Sequence, residues 1–215
     1  MFSWNEKNIN WFSSSAKETD FHKKLAQQII PYINKDDSLL SLGSGLGFLE
    51  RELSPYLKKM VLIDNNDVAI DFLNKHKLKN QTIINTDWSK YNKKADYLLL
   101  SFFSRMYIND SLDDFLKLVN KKIFYIVNQR HCNDGEVESY LNKKKANYSY
   151  KKIQLDFNQV LKKSEINDYL NQYYSQVTEE KKEKLLQNFK PYKDDLVVFN
   201  NRKKIILFII EKGEK

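Results

Sequence analysis

Glycine and proline are scarce in this chain of 215 residues. Five glycines and three prolines leave no material for a flexible linker or a low-complexity segment. The single cysteine, Cys132, excludes an internal disulfide and fits a reducing compartment. Long apolar runs are missing as well. The longest, Ile205 to Ile210, falls far short of the roughly 20 residues that span a bilayer. The stretch Met1-Phe2-Ser3-Trp4-Asn5-Glu6 has no basic region followed by an apolar one, which predicts no signal peptide and a soluble, cytoplasmic protein without a membrane partner. Arginine is rare too: only Arg51, Arg105, Arg130 and Arg202 stand among 36 basic residues.

What is present is an ordinary globular composition, 41% hydrophobic and 30% charged, in a chain long enough to bury a core without disulfides. The net charge of +8 is lysine-borne. A basic balance suits nucleic acid as a partner. Lysine and asparagine excess with little arginine or glycine is also what an AT-rich genome gives, and arginine, the better bidentate reader of phosphates and bases, is the residue lacking.

Along the chain, apolar strands alternate with amphipathic helices. A helix is expected over Asp20 to Ile33, strand Ser38 to Leu42, helix Phe48 to Leu57 and strand Lys59 to Ile63. Helix Asn66 to His76, strand Thr82 to Ile84, strand Asp96 to Phe103, helix Ser111 to Val119 and strand Lys122 to Val127 follow. Strands apolar on both faces belong to a parallel sheet covered by helices. Later come helix Gly135 to Lys145, an extended stretch Tyr148 to Phe157, and helices Ser164 to Tyr174 and Thr178 to Phe189. Strands Leu196 to Phe199 and Lys204 to Ile210 flank Asn200-Asn201, a pair that tolerates a tight turn, so a terminal antiparallel hairpin is expected. The expected fold is α/β: a Rossmann-like, mostly parallel sheet of seven strands with a C-terminal antiparallel hairpin and helices on both faces. One domain over 1–215 is expected, with an N-terminal lid or helix over 1–33, a cofactor-binding core over 38–130, a substrate-shaping insertion over 148–192 and the hairpin over 195–210.

Three of the five glycines cluster, at Gly43, Gly45 and Gly47, where a strand runs into a helix. Such a turn brings a ligand close to the main chain and to unpaired N–H groups, though a tight strand–helix turn without a ligand uses glycine too. Asp64, 21 residues beyond Gly43 and at the end of the next strand, is placed to accept bonds from ribose hydroxyls. A dinucleotide fingerprint needs its third glycine one place later, and position 48 is Phe. The spacing is GxGxG. With the terminal hairpin, it resembles the class I S-adenosylmethionine-dependent methyltransferases from about Ser38 to Val127 and again over Asp195 to Ile210. The tract Ala95-Asp96-Tyr97-Leu98-Leu99-Leu100-Ser101-Phe102-Phe103-Ser104 and the leader Trp4 to His22 resemble a clostridial-type subgroup of that class.

The resemblance implies S-adenosylmethionine as cofactor. It implies Gly43, Ser44, Gly45 and Gly47 under its methionine and ribose, and Asp64 on the ribose. Asn65 would lie beside the adenine, Asp87 on its amino group with Trp88 flanking the ring, and Ser101 and Phe102 near the methionine end. One place departs from the pattern. The family usually has an acid two residues before the first glycine, where it orients the methionine amino group, and this chain has Ser41.

Methyl transfer needs alignment more than a base, and no catalytic signature is visible. His22, within the aromatic leader of Trp4, Trp11, Phe12 and Phe21, is a candidate base near neutral pH, or a helix-surface residue. His131, after the fifth strand, is a candidate for a substrate role. His131-Cys132 lacks further ligands at usable spacing, so no metal is expected. Trp11, Ser104, Arg105 and Tyr107 are candidate substrate contacts, Arg105 for an anionic group or as a surface charge. The leading expectation is methyl transfer to a small molecule. Against RNA methyl transfer stand the low arginine content and the absence of an N-P-P-[YF] signature at Ser101-Phe102-Phe103-Ser104. A non-catalytic S-adenosylmethionine-binding protein is the third reading, and a nicotinamide oxidoreductase the last.

Overall fold

The computed structural model describes residues 4–103, 105–129 and 134–213, with side chains except at 105–110 and 134. It divides into two compact units. The larger holds residues 22–154 and 204–213 with Trp4, and the smaller holds 5–21 and 155–203.

The apolar runs become strands of one seven-stranded sheet. They are β1 (Ser38–Leu42), β2 (Lys59–Asp64), β3 (Gln81–Asn85), β4 (Ala95–Ser101), β5 (Val119–Asn128), β6 (Tyr148–Asp156) and a last strand, here β10 (Arg202–Glu211). The order is β3-β2-β1-β4-β5-β10-β6. The first five run parallel: Leu40 pairs with Val61 on one side and Leu98 on the other, and Leu99 with Phe124. β10 lies antiparallel on β5, with Leu207 opposite Ile126. The connections within this sheet are α3 (Phe48–Leu53), α4 (Asp67–Lys75), α5 (Arg105–Lys117) and α6 (Asp134–Lys143). From β1 the chain steps outward to β2 and β3, then returns to place β4 on the other side of β1. Right-handed crossovers therefore put α3 and α4 on one face and α5 on the other.

Burial explains why the runs are apolar throughout. Leu98, Leu99, Leu100, Phe124, Tyr125 and Ile126 are all fully buried. Each such side chain contributes about 1.5–3 kcal/mol relative to exposure. Local signals set the ends of the helices. Asn66 Oδ1 accepts the Ala69 N–H at 3.1 Å and starts α4. Pro31 and Pro55 each open a 3-10 turn, at Ile30–Tyr32 and Ser54–Tyr56, so the expected helices over 20–33 and 48–57 end earlier. The first of these is α2 (Phe21–Ile29). At the N-terminal ends of β1 and β4, Asp37 accepts from the Tyr97 hydroxyl at 2.7 Å and from Lys121 Nζ at 2.6 Å. Burial raises the Asp37 pKa, but the Lys121 and Tyr97 bonds outweigh it and the carboxyl ends below its ordinary range.

The smaller unit joins α1 (Glu6–Glu18) to β7 (Gln159–Lys162), α7 (Ile166–Tyr173), α8 (Glu179–Leu186), β8 (Phe189–Pro191) and β9 (Leu196–Phe199). Its sheet is antiparallel in the order β7-β9-β8. This corrects the expected hairpin. Only β10 joins the large sheet, beside β6, while β9 pairs with β7 and β8, Val198 facing both Val160 and Lys190. Asn200-Asn201 is thus a junction, where Asn201 accepts the Phe157 N–H at 2.8 Å. Trp11 is the centre of the unit. Its ring meets Tyr169 edge-on at 5.5 Å, its Nε1 donates to Glu165 at 3.1 Å, and its carbonyl accepts from Gln159 at 3.0 Å. Ser15 Oγ accepts the Val160 N–H at 3.1 Å. Parts of the expected leader and insertion therefore fold together in this unit, which takes in residues 5–21 and 155–203.

Candidate functional site

Strand order reverses at β1 and β4, and ligand crevices in open α/β sheets lie at the carboxyl ends of the strands at such a point. The glycine loop is there. Gly43, Gly45 and Gly47 have φ of 64°, 53° and 68°, in the left-handed region that side chains disfavour. Close approach adds a second reason at all three, a Cβ on Gly47 falling 2.6 Å from the Leu73 side chain. A Cβ on Gly43 would lie 2.8 Å from the Phe103 ring, where the ends of β1 and β4 meet. A Cβ on Gly45 would lie 3.2 Å from the indole of Trp4.

Asp64 ties this loop to β2. One carboxylate oxygen accepts the Gly45 N–H at 2.8 Å and the other the Asn66 N–H at 2.9 Å. Ser44 donates its N–H to the Ile63 carbonyl at 3.0 Å, and Thr86 donates to the Asp64 carbonyl at the same distance. The ends of β1, β2 and β3 are thus locked together around Asp64. Each of its oxygens keeps acceptor capacity beyond these single bonds. This set fits a ribose-bearing cofactor: a loop with three glycines that carry no side chain of their own, and a carboxylate fixed beside it.

The other expected contacts are placed as follows. Asn65 is exposed beside Asp64. Asp87 caps the short turn at Trp88–Lys90 through Oδ1, which accepts the Ser89 N–H at 2.9 Å and its hydroxyl at 2.6 Å. These bonds hold the Asp87 carboxyl below its usual range. Trp88 is half-buried, 4.9 Å from the Phe115 ring and edge-on to Phe103. Ser101 ends β4, half-buried. Phe102 has φ 53° and is 46% exposed. A bulky residue in that conformation costs about 1–2 kcal/mol, and such strain collects at functional sites. The Ile126 carbonyl holds it, accepting its N–H at 2.9 Å.

Two candidates have other surroundings than expected. His22 is buried and stacked on Phe48 at 5.4 Å. Burial pushes its imidazole down to about 4, so it stays neutral through the range in which a base near neutrality would titrate. Trp11 belongs to the interior of the smaller unit at 2% exposure, rather than to a surface for substrate. The aromatic leader is split likewise: Phe12 and Phe21 flank Phe157 within the smaller unit, and Trp4 covers the glycine loop. Ser104 and His131 lie outside the described residues, as do the side chains of Arg105 and Tyr107.

Sequence reasoning missed Glu50. It is 2% exposed, and the Ser41 hydroxyl donates to its Oε1 at 2.6 Å. Burial, with the charge of Asp64 adding to it, pushes its carboxyl up to about 7. A signal existed. Leu49, Leu53 and Leu57 mark the buried face, and Glu50 lies on that face three residues before Leu53.

No family model matches the sequence, and no curated protein matches it either. Solved structures do match in fold. A Bacillus halodurans protein assigned as a methyltransferase superposes with a TM-score of 0.58 at 14% identity, over 89% of this chain and 98% of its own. The precorrin-6y C5,15-methyltransferase of Geobacter metallireducens gives 0.57 at 11%, over 88% of each chain. The tRNA m1G37 methyltransferase of M. jannaschii gives 0.53 at 15%, over 89% of this chain and 49% of its own. The clostridial-type subgroup remains a resemblance of sequence tracts alone. Among the described residues no helix is long and apolar enough to cross a membrane. The seven-stranded sheet, its order and its glycine loop give this chain the fold of the class I S-adenosylmethionine-dependent methyltransferases.

Proposed function

We propose that the chain binds S-adenosylmethionine and transfers its methyl group to a small-molecule acceptor. One observation carries the reading: Asp64, bonded to the Gly45 N–H at the switch point of the sheet, is a fixed carboxylate beside a loop that admits a ligand to the main chain. Gly43, Ser44, Gly45 and Gly47 would lie under the methionine and ribose, Asp64 would take the ribose hydroxyls, and Asn65 would flank the adenine. The free oxygen of Asp87 would accept from the adenine amino group, with Trp88 against the ring. Ser101 and Phe102 would line the methionine end.

The cofactor, when bound, supplies an activated sulfonium methyl. The protein's own task is then alignment and exclusion of water. Phe102, set outward by its strained backbone, and Trp4, over Gly45, are the aromatic surfaces that would enclose the reacting end. No residue needs to remove a proton if the acceptor is a sulfur, a nitrogen or an ionised oxygen.

The test is calorimetric titration with S-adenosylmethionine and S-adenosylhomocysteine, with Asp64→Ala as control. Micromolar binding lost in the variant supports the reading; no binding by the wild-type chain overturns it. Charge favours a second reading, methyl transfer to RNA. The smaller unit has eleven basic and eleven acidic residues, so the whole excess of +8 belongs to the larger one. RNA affinity that falls steeply with salt would favour it.

A further inference from the structure

The larger unit buries two acids that the cofactor reading leaves unused: Asp37, which is paired with Lys121, and Glu50, which has no such cation. The Glu50 carboxyl is in the interior at 2% exposure, and its side-chain partner is a neutral hydroxyl, that of Ser41. Among the described residues no lysine, arginine or histidine pairs with it. Arg51, the next residue, lies instead over the Phe48 ring at 5.3 Å, and His22, stacked on that ring, is neutral. Among the described residues the charged group that bears on Glu50 is Asp64, of the same sign. A glutamine or leucine would fill this place without the several kcal/mol that a buried ion costs. An acid held there under strain is suited to an arriving cation.

Its position says which cation. Ser41 stands two residues before Gly43, in the last part of β1 below the glycine loop. The family pattern has an acid there and this chain has a hydroxyl, but Glu50 Oε1 is 2.6 Å from that hydroxyl. A carboxyl group is present after all, carried by α3 instead of β1.

We propose that Glu50 is the counter-charge of the ligand site: oriented by Ser41, it meets the ammonium group of an S-adenosyl ligand and releases its proton to solvent as that ammonium enters. This rests on the cofactor reading above. The step balances, since the acid loses one proton and the resulting carboxylate pairs with a cation that keeps its own. Glu50 is then a binding residue that separates ligands with an α-amino group from those without.

The experiment is calorimetry at pH 6 and pH 8, in two buffers of different ionisation enthalpy, on wild type and Glu50→Gln. The probes are S-adenosylhomocysteine, which keeps the ammonium, and 5′-methylthioadenosine, which lacks it. Wild type should bind S-adenosylhomocysteine about tenfold more tightly at pH 8 than at pH 6, releasing close to one proton at the lower pH. It should bind methylthioadenosine with no such dependence. Glu50→Gln should weaken S-adenosylhomocysteine about tenfold or more at pH 8, abolish the proton release and leave methylthioadenosine unchanged. The double variant Ser41→Asp with Glu50→Ser, which moves the carboxylate to the strand, should restore the affinity. Glu50→Gln that binds S-adenosylhomocysteine as wild type does, with the same pH dependence, overturns the proposal and leaves the cofactor reading intact. A wild type that binds neither probe overturns both, and Asp64→Ala, which should lose both probes, marks that difference.

Discussion

The two units are held together by different means. The larger is a sheet of fully buried leucines, isoleucines and aromatics, whose first five strands come from one continuous stretch of chain. The smaller is assembled from segments that are far apart in sequence, around one tryptophan, with polar bonds from Trp11, Ser15 and Gln159. The first kind of construction tolerates exchange of one apolar residue for another and fixes the main chain around a loop. The second depends on a few particular side chains, and a single loss should dissolve it.

Trp11→Ala is the most direct way to break that contrast. It removes the ring that Tyr169 and Tyr173 flank and should cost the smaller unit about 3–5 kcal/mol. In hydrogen exchange, the amides of β7 and α7 should lose protection while those of β1, β4 and β5 keep theirs. Simultaneous loss in both would mean that the molecule unfolds as one unit.

The next largest effects concern pH and belong to the larger unit. Glu50, raised from 4.5 to about 7, favours the folded state at low pH, and that contribution disappears as pH rises through 7. His22, lowered from 6.5 to about 4, acts in the opposite sense, and its contribution disappears as pH falls through 4. Each amounts to about 3 kcal/mol across its window, and between pH 4.5 and 6.5 the two slopes oppose each other. Thermal melts of wild type should therefore be nearly flat in that interval. Glu50→Gln should melt higher as pH rises across it, and His22→Phe should melt lower. Parallel profiles for the two variants would show that one of the groups is not buried as described.

Asp37→Asn should have a smaller effect, about 1–2 kcal/mol, because Lys121 is partly open to solvent. The loss should fade in denaturant titrations as pH falls below the usual carboxylate range, since the depressed Asp37 contributes only when ionised. Smallest of all, Lys7→Ala should leave the melting midpoint unchanged, because its ion pair with Asp168 is exposed on both sides.

The same contrast explains what was legible in the sequence. Strands β1 to β5 follow from apolar runs that no other element could bury, and the glycine loop from residues the chain otherwise avoids. The turn at Asn200-Asn201 was misread because a local signal cannot say which sheet a strand will join. β9 has four residues, and its partners lie in β7 and β8. β7 went unseen because a stretch of four residues has too little pattern to mark a strand. The glycine loop was read from spacing, but Glu50 was not, although it shares the apolar face of its helix, because a glutamate on a helix is ordinarily solvated. The strained turn at Phe102 has no sequence signal, because the Ile126 carbonyl imposes it from another strand.

Trp4 beside Gly45 also gives this chain an optical probe. The other two tryptophans have settled surroundings, Trp11 inside the smaller unit and Trp88 against Phe115. The indole edge of Trp4 rests on the loop itself. Whatever settles on that loop must alter the polarity around this fluorophore, so its emission would register occupancy in a native, unlabelled sample, down to the rates of arrival and departure.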